Sequence, residues 1–338
     1  MDNETIYIAL AIYDPSGNYS RHAGALIASV MDNTKSSVCF CILHDESLSV
    51  ANMDKLAKTA EKRGGLVKFI DVSKELEKLA DVINVKQLTG VFSPGALFRL
   101  FVPEVVELDK IIYLDCDVIV NMDIKELWEI DIADYCIAAV GDLAVQGTWK
   151  KVCTSSLSVR MKIMKISPNK YFNSGVSLLN LKQIRNDFDF LKEGLNFFAR
   201  YSLCTVFPDQ DFLNRLFQDS CLLIDPKFNT FSGSADHNSS TDINGKIWHF
   251  SYDKPWIFHK PDNPSGLLYW KYLAASAWGD EVTSYMMKAN GGQYFHRHSS
   301  DCMKKLGEVF RENFTKSSLL RIAKAYYGEI RYQLTKGK

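Results

Sequence analysis

The chain carries at residues 110–117 the stretch KIIYLDCD, an apolar run that stops abruptly at two acidic residues, Asp115 and Asp117. A continuous apolar run of this kind is typical of a strand buried on both faces, as in the centre of a parallel sheet. Ligands of open α/β sheets bind at the carboxyl edge, where such a strand ends. The stretch therefore predicts a central strand with a binding site directly after it.

Patterns on both sides of this stretch alternate between strand and helix. Apolar, β-rich runs predict strands, and apolar residues at helical spacing predict helices. The predicted strands are residues 6–12, 38–43, 66–72, 110–114, 137–140, 176–181 and 246–249. The predicted helices are residues 21–33, 50–62, 182–200 and one that begins at Asp209. This alternation favours α/β architecture with a mostly parallel central sheet covered by helices, a Rossmann-like domain.

The chain divides into this domain, residues 1–275, and a basic C-terminal extension, residues 276–338, which we expect to be helical. Residues 303–338 hold nine Lys or Arg against three Glu, interleaved with aromatic and aliphatic residues. A basic amphipathic helix can lie on an anionic membrane surface. It can equally pack on the domain or on a second copy of the chain. The tail therefore predicts either peripheral membrane contact or self-association.

The overall composition argues against some partners and sites. Forty Lys plus Arg balance forty Asp plus Glu over 338 residues, so no global field favours nucleic acid as a partner. The acidic start and the short apolar stretch at residues 6–13 fit neither a signal peptide nor a membrane span. The eight cysteines contain no CxxC pair, which favours reduced, buried thiols over a zinc site. We expect a cytoplasmic protein, either free or peripheral on the inner face of the membrane.

The acidic pair after the central strand has chemical alternatives. In extended backbone the spacing turns Asp115 and Asp117 to the same side, where both can reach one hard cation and the phosphates bound to it. Haloacid dehalogenase phosphatases also place Asp-x-Asp after an apolar strand, with the first Asp as nucleophile. Two features argue against a phosphatase. Ile119 stands where that motif usually has Thr or Val, and the second acid expected after Asp142 is replaced by Gln146. A solvated turn at the strand end is the structural alternative.

Five blocks of sequence occur in an order that resembles one known family. They are the N-terminal strand, FSPGALFRL at 92–100 running into KIIYLDCD at 110–117, YFNSGV at 171–176, PDQDFLN at 208–214 and WHFSYDKPW at 248–256. Together they resemble family 8 glycosyltransferases, the family of glycogenin and of bacterial lipopolysaccharide galactosyl- and glucosyltransferases. The resemblance spans residues 6–275 and implies a single nucleotide-sugar-binding domain of the GT-A type.

By this resemblance Asp115, Asp117 and His249 bind a divalent metal ion. Two carboxylates with one imidazole favour Mn²⁺ over Mg²⁺, because nitrogen is the softer donor. The structural alternative for His249 is a histidine whose hydrogen bonds are satisfied within its strand. The donor substrate implied is UDP-glucose or UDP-galactose. Its diphosphate would also contact Lys254, whose compact positive charge suits that role.

The resemblance also implies which residues surround the donor. Asp209 and Gln210 are the implied catalytic pair, with Asp209 on the sugar hydroxyls and Gln210 near the anomeric carbon. The alternative role for Asp209 is to cap the helix that follows Pro208. The other implied contacts of the nucleotide sugar are Ala11, Tyr13, Asp14, Asn18, Tyr19, Arg99, Cys116, Asn173 and Ser174.

Two segments depart from the family pattern. Tyr13 stands where the family usually has an acid, and three residues are inserted before Asn18 and Tyr19. Lys254 follows His249 by five positions, one fewer than usual. These departures predict a rearranged uracil contact and a slightly altered spacing between metal and phosphate.

The function implied is retaining, metal-dependent transfer of a hexose from a UDP-sugar to a glycan, glycolipid or glycoprotein acceptor. Neither the sugar nor the acceptor can be read from these residues, because acceptor grooves are built from variable loops. The alternative from another class is a non-catalytic nucleotide-sugar-binding protein that kept the fold.

Overall fold

A computed structural model describes residues 4–81, 93–142, 145, 156–202, 204–232, 242–251, 254–257 and 263–290. The basic tail at 303–338, with its predicted membrane contact or self-association, lies outside the described residues. The division of the chain after residue 275 stays a prediction.

Strands and helices alternate from residue 6 to residue 114, as the sequence predicts, and less regularly after that. The strands are Ile6–Ile12 (β1), Val38–His44 (β2), Leu66–Asp71 (β3), Lys110–Leu114 (β4), Val118–Asn121 (β5), Ile137–Gly141 (β6), Phe172–Asn180 (β7), Cys221–Leu223 (β8), Thr230–Phe231 (β9) and Lys246–His249 (β10). The helices are Ser20–Asn33 (α1), Val50–Glu61 (α2), Ser73–Ala80 (α3), Val102–Val105 (α4), Lys125–Trp128 (α5), Ser156–Met164 (α6), Leu181–Asp187 (α7), Phe190–Tyr201 (α8), Pro208–Phe217 (α9), Pro264–Ala275 (α10) and Val282–Asn290 (α11). Short 3-10 turns occur at Pro94–Phe101, Pro168–Lys170, Pro226–Asn229 and Gly279–Glu281.

The main sheet has seven strands in the order β3-β2-β1-β4-β7-β6-β8. Strands β3, β2, β1 and β4 run parallel, and β8 runs parallel to β6. Strand β7 lies antiparallel to both β4 and β6. Every residue of β4 from Ile111 to Leu114 is buried, as expected for a central strand. The mostly parallel α/β sheet predicted from the alternation is confirmed.

Two predicted boundaries were wrong. The strand predicted at 176–181 begins earlier, at Phe172. The helix predicted at 182–200 is two helices, because the backbone of Phe188 is extended and Asp189 starts a second helix by accepting a hydrogen bond from the backbone N–H of Lys192. A side-chain cap of this kind satisfies a backbone donor that a continuous helix would bond internally.

A smaller sheet of three strands, in the order β5-β10-β9, lies beside the main one. The segment Asp115–Asp117 connects the two sheets, since it follows β4 and precedes β5. Its first residue donates a backbone hydrogen bond to the carbonyl of Gly175 in β7 at 2.8 Å, and its last accepts one from Phe250 at 2.9 Å. The acidic segment is thus held by the backbone at both ends.

The core is divided between the two faces of the main sheet. Along β1, Ile8 and Leu10 point into one hydrophobic cluster, and Ala9 between them points into the other. The first cluster includes α1 and α10, which pack together, and Trp278 beyond α10 still packs on Gly24 of α1. A methyl group at Gly24 would come within 2.5 Å of the indole, so the close approach depends on the glycine. Residues just after 275 therefore continue to contact the domain.

The cysteines of the described part of the chain are free thiols. Five are buried and Cys221 is partly buried. Among the described helices, none combines the length and apolar character that crossing a bilayer requires.

Candidate active site

The structure brings together the three predicted metal ligands. Asp115 follows β4, Asp117 precedes β5, and His249 is the last residue of β10. One potential ligand atom from each lies within 4.8 Å of the other two. The imidazole Nε2 is 3.3 Å from Oδ1 of Asp117 and 4.0 Å from Oδ2 of Asp115. Residues more than a hundred positions apart thus present two carboxylate oxygens and one nitrogen to a common point.

Strand β7 passes directly behind this group at Gly175. A methyl group on Gly175 would lie 2.4 Å from Cε1 of His249 and 2.6 Å from Oδ2 of Asp115. Contacts this short do not occur in folded proteins, so any side chain here would displace the ligands. The glycine of the YFNSGV block is therefore required by space at the site rather than by its backbone conformation.

Two cations lie on the outer oxygens of the carboxylates. Arg99 donates to Oδ1 of Asp115 at 2.6 Å, and Lys254 forms an ion pair with Oδ2 of Asp117. The inner oxygens are the ones that face His249. Each carboxylate therefore offers one oxygen toward the imidazole while the other is already paired.

Burial and neighbouring charge shift the two carboxyl groups in opposite directions. Burial raises the pKa of Asp115, and Arg99 offsets that rise only in part. Burial would also raise the pKa of Asp117, but Lys254 and His249 beside it hold that pKa well below its usual range. Asp117 is thus the carboxylate that its surroundings keep ionised most strongly, which suits a ligand of a cation.

Arg99 links the first carboxylate to the predicted catalytic pair. Its Nε lies 2.9 Å from Oδ2 of Asp209, and its Nη1 donates to the carbonyl and hydroxyl oxygens of Ser174 at 2.9 and 2.8 Å. The Arg99 side chain is only 9% exposed, so these contacts are poorly screened by water. One guanidinium therefore positions Asp115, Asp209 and Ser174 together.

Gln210 is held on both sides of its amide. Its Oε1 accepts the backbone N–H of Ser174 at 3.1 Å, and its Nε2 donates to Oδ2 of Asp142 and to the Tyr171 hydroxyl at 3.1 and 3.2 Å. The backbone N–H of Ser174 can only donate, so the Gln210 atom that faces it is the oxygen. The Asp142 carboxylate accepts, so the Gln210 atom that faces it is the nitrogen. Asp142, which the sequence analysis did not include among the site residues, belongs to this group.

Asp209 does not cap α9, which was its alternative role. The cap residue of α9 is Phe207, and no side-chain cap bond is formed there. Asp211 instead accepts the backbone N–H groups of Val206 and Phe207 at 2.8 and 3.1 Å. Asp209 is left to its ion pair with Arg99.

The geometry agrees with a family match that covers most of the chain. The model of "Glycosyl transferase family 8" matches residues 11–259. The chain belongs to glycosyltransferase family 8. This confirms the resemblance inferred from the five sequence blocks.

Two relatives and a solved structure are similar to this chain over most of its length. General stress protein A of Bacillus subtilis (strain 168) is 26% identical over 284 residues, which are 77% of this chain and 91% of that protein. Lipopolysaccharide 1,2-glucosyltransferase of Escherichia coli (strain K12) is 26% identical over 283 residues, covering 80% of this chain and 78% of that one. The crystal structure of the galactosyltransferase LgtC with donor and acceptor sugar analogues superposes with a TM-score of 0.64 at 23% identity, covering 81% of this chain and 96% of that one. This similarity confirms the GT-A fold.

In this family 8 chain the predicted nucleotide contacts of the N-terminal segment lie at the end of β1 and in the residues after it, and β1 pairs with β4. Ala11 accepts a hydrogen bond from the Cys116 thiol at 3.3 Å, which ties the end of β1 to the acidic segment. The half-buried Tyr13 packs edge-on against Phe98, with ring centroids 6.5 Å apart. Tyr19 is 36% exposed at the start of α1.

Asp14 is used within its own loop. Its carboxylate accepts the backbone N–H groups of Tyr19 and Ser20 at 2.8 and 3.0 Å, and it is 1% exposed. Gly17 has a φ of 70°, which the tight turn before the exposed Asn18 requires. The structure therefore places Asp14 as the residue that organises the inserted loop and the start of α1.

Asn229 is a site residue that the sequence analysis missed. It lies in the 3-10 turn before β9, and its Oδ1 is 2.9 Å from Nδ1 of His249. Its Nδ2 donates to Oδ1 of Asn173 at 2.9 Å, and that oxygen also accepts the backbone N–H of Gly175 at 3.0 Å. No motif in the segment around position 229 indicated this, because the contact depends on how β9 pairs with β10.

Proposed function

We propose that the chain is a metal-dependent, retaining hexosyltransferase that moves glucose or galactose from a UDP-sugar to a glycan, glycolipid or glycoprotein acceptor. One observation carries the proposal: Asp115, Asp117 and His249 converge within 4.8 Å at the edge where β4 ends. Family membership supplies the glycosyl transfer. The convergence supports the metal, and Lys254 beside Asp117 supports a diphosphate as its partner.

The donor atoms suit Mn²⁺. Two carboxylate oxygens and one imidazole nitrogen form a mixed set in which the nitrogen favours Mn²⁺ over Mg²⁺. Asp115, Asp117 and His249 would hold the ion, which when bound supplies positive charge to the diphosphate as it leaves. The chain's own cations add to this, because Lys254 lies against Asp117 within reach of the same point.

The residues near Arg99 suit the sugar. Asp209 is buried and paired with Arg99, so its carboxylate is fixed in place and can accept hydrogen bonds from sugar hydroxyls. Gln210 lies one residue further on, with its amide orientation set by Ser174 and Asp142. These groups orient the donor, and fixed polar groups of this kind lower the barrier because they need not reorganise during reaction.

Retention by a same-face route needs no covalent nucleophile. A double displacement would require a free carboxylate beneath the anomeric carbon. Asp209 is bound by a guanidinium at 2.9 Å, and Gln210 is an uncharged amide. The proposed route is therefore attack of the acceptor hydroxyl on the face from which UDP leaves.

The first experiment measures UDP release from UDP-glucose and UDP-galactose, with Mn²⁺, with Mg²⁺ and with a chelator. We expect release that requires a divalent ion, is faster with Mn²⁺, and is lost in Asp115→Ala and Asp117→Ala. NMR of the glycosylated product then gives the anomeric configuration. An inverted linkage would exclude the retaining route, and binding of UDP-sugars with no turnover on any acceptor would favour the non-catalytic alternative.

The cellular placement has a separate test. We propose a cytoplasmic enzyme whose tail at 303–338 lies on the inner face of the membrane or on a second copy. The full chain and a chain that ends at Cys302 are compared by flotation with anionic liposomes and by sedimentation. Loss of flotation in the shorter chain supports membrane contact, and a change of mass without any change in flotation supports self-association.

A further inference from the structure

We propose that Asn229 is a positioning residue that keeps a hydrogen on Nδ1 of His249 and so leaves Nε2 available to the metal ion. The inference rests on the proposed metal-dependent function. It deepens that function, since it adds a residue outside the ligand set whose hydrogen bonds determine which ring nitrogen can bind.

The contact that carries the inference is buried and short. Asn229 is 2% exposed and His249 is 3% exposed. Oδ1 of Asn229 lies 2.9 Å from Nδ1, while Nε2 on the other side of the ring faces Asp115 and Asp117. The two ring nitrogens therefore have different partners, an amide on one side and the carboxylates on the other.

The direction of this hydrogen bond follows from a relay that starts at the backbone. The N–H of Gly175 can only donate, so the side-chain atom of Asn173 that it meets at 3.0 Å is the carbonyl oxygen. The same oxygen lies 2.9 Å from the side chain of Asn229, which must therefore donate with its amide nitrogen. That leaves the carbonyl oxygen of Asn229 toward the imidazole, and an oxygen without a hydrogen can only accept from Nδ1–H.

The contacts around the ring are compatible with this assignment. The Ser251 hydroxyl is 3.1 Å from Nε2 and can donate to it. The ring of Phe231 stacks on the imidazole with centroids 5.4 Å apart, which restricts turning of the ring. Without Asn229 the hydrogen could reside on either nitrogen, and a ring with hydrogen on Nε2 has no lone pair directed at the carboxylates.

The expected size of the effect follows from other metal sites. A partner that orients a metal-binding histidine typically changes metal affinity by about 10- to 100-fold when it is removed. We therefore expect Asn229→Leu to raise the Kd for Mn²⁺ by about 10- to 100-fold. Asn229→Asp keeps an acceptor for Nδ1–H, and we expect it to bind Mn²⁺ within a few-fold of the wild type although it loses the donor to Asn173.

The measurement is a titration with Mn²⁺ alone, followed by the electron paramagnetic resonance signal of the free ion, with no donor present. Asn121→Leu is the matched control, since Asn121 is a buried asparagine that bonds to Ile243 and Tyr272 away from the site. Weak binding in Asn229→Leu with near-normal binding in Asn229→Asp and the control supports the proposal. Equal losses in both Asn229 variants, or no loss in either, overturn it.

A second measurement covers the case in which a variant fails to fold. Long-range ¹H–¹⁵N NMR of the metal-free wild type, labelled at histidine and recorded at alkaline pH, shows which nitrogen of His249 carries the hydrogen. His249→Gln identifies the signals. Hydrogen on Nδ1 supports the role of Asn229, and hydrogen on Nε2 overturns it.

The two measurements also separate this inference from the proposed function. If the ring carries its hydrogen on Nδ1 but the wild type binds no Mn²⁺, the metal-dependent function fails and the role of Asn229 in fixing the ring survives. If Mn²⁺ binds with hydrogen on Nε2, the function stands and the inference is wrong.

Discussion

Two clusters of polar side chains lie against β7, and they are held in different ways. The carboxylate–imidazole cluster, Asp115, Asp117 and His249, is surrounded by the charges of Arg99 and Lys254. The amide cluster is built from directional hydrogen bonds whose donors and acceptors are determined. Its members are Asp142, Tyr171, Asn173, Gln210 and Asp211.

The first cluster is held mainly by ion pairs and the second by hydrogen bonds between buried groups, and this difference suits them to different tasks. The Lys254 ammonium is a compact point charge with weak directional requirements, so under the proposed function it could leave Asp117 when a cation and a diphosphate bind. Buried amides and hydroxyls lose much of their stabilising energy when a partner shifts, so the second cluster keeps its geometry whether or not a ligand is present. Under the proposed function, charge would bind the leaving diphosphate, and hydrogen bonds would orient the sugar.

The largest expected effect is in the first cluster. Asp117→Ala removes a ligand oxygen and leaves Lys254 unpaired, so we expect UDP release from a UDP-sugar to fall by at least about 1,000-fold, because several kcal/mol of charge stabilisation depend on the ion. Mn²⁺ titration should show matching loss of binding. Asp219→Asn, at a side chain 81% exposed, is the control and should keep full activity. Activity within tenfold of the wild type in Asp117→Ala would contradict the metal assignment.

A methyl group on Gly175 should disturb the carboxylate–imidazole cluster. Gly175→Ala places Cβ 2.4 Å from His249 and 2.6 Å from Asp115, so we expect Mn²⁺ affinity to fall by about 100-fold and the protein to lose about 1–3 kcal/mol of stability. Gly194→Ala is the control, because its nearest neighbour would be 3.6 Å away and alanine favours its helix. Equal behaviour of the two variants would show that β7 does not support the site.

The second cluster should affect chemistry without affecting the ion. Gln210→Ala removes the amide held by Ser174 and Asp142, and we expect kcat to fall by about 100-fold, the usual size for one oriented polar group. The Kd for Mn²⁺ should stay unchanged in the same variant. Gln218→Ala is the control, because Gln218 follows the end of α9 and bonds to Ser167 and Lys165, and it should leave both constants as they are. A parallel loss of Mn²⁺ binding in Gln210→Ala would mean that the two clusters are one unit.

The smallest expected effect concerns stability and pH. Burial raises the pKa of Asp211 to about 6, although Tyr171 and two backbone N–H groups bond to it. A carboxyl group whose pKa is raised on folding stabilises the protein below its unfolded pKa of about 3.9, and that contribution is lost as the pH rises through about 6. We expect the free energy of unfolding of the wild type, relative to Asp211→Asn, to fall by about 1–3 kcal/mol between about pH 4 and 7. Urea unfolding of both proteins at each pH measures this, and a constant difference would contradict it.

The fold could be predicted further than the site. Strands β1, β2 and β4 were predicted from apolar runs, because burial on both faces leaves a continuous pattern in the sequence. The reversed direction of β7 could not be, since antiparallel pairing with β4 depends on long-range contacts. The break at Phe188 was hidden because α7 and α8 both have helical spacing.

Within the site, charged residues in motifs were visible and uncharged supporting residues were not. Asp115 and Asp117 were visible because acids directly after an apolar run are unusual. His249 was visible because it lies in the block WHFSYDKPW. Nothing in the sequence around Asn229 marks it as a site residue, because asparagine is common in turns. Its contact with Nδ1 of His249 appears only when the small sheet has formed. The nucleotide contact of Asp14 stays a prediction, and its use within the loop depends on hydrogen bonds that a sequence does not display.

The acidic segment Asp115–Asp117 runs from the main sheet to the small one. The proposed ligands of the metal ion therefore come from both sheets. Asp115 extends from β4, whereas His249 ends β10. An ion held between them would crosslink the two sheets, which also share one hydrophobic cluster. Removing the ion with a chelator should speed amide hydrogen exchange in β9 and β10, while β1 to β3 keep their protection. The ion would then stabilise the small sheet as well as take part in the reaction.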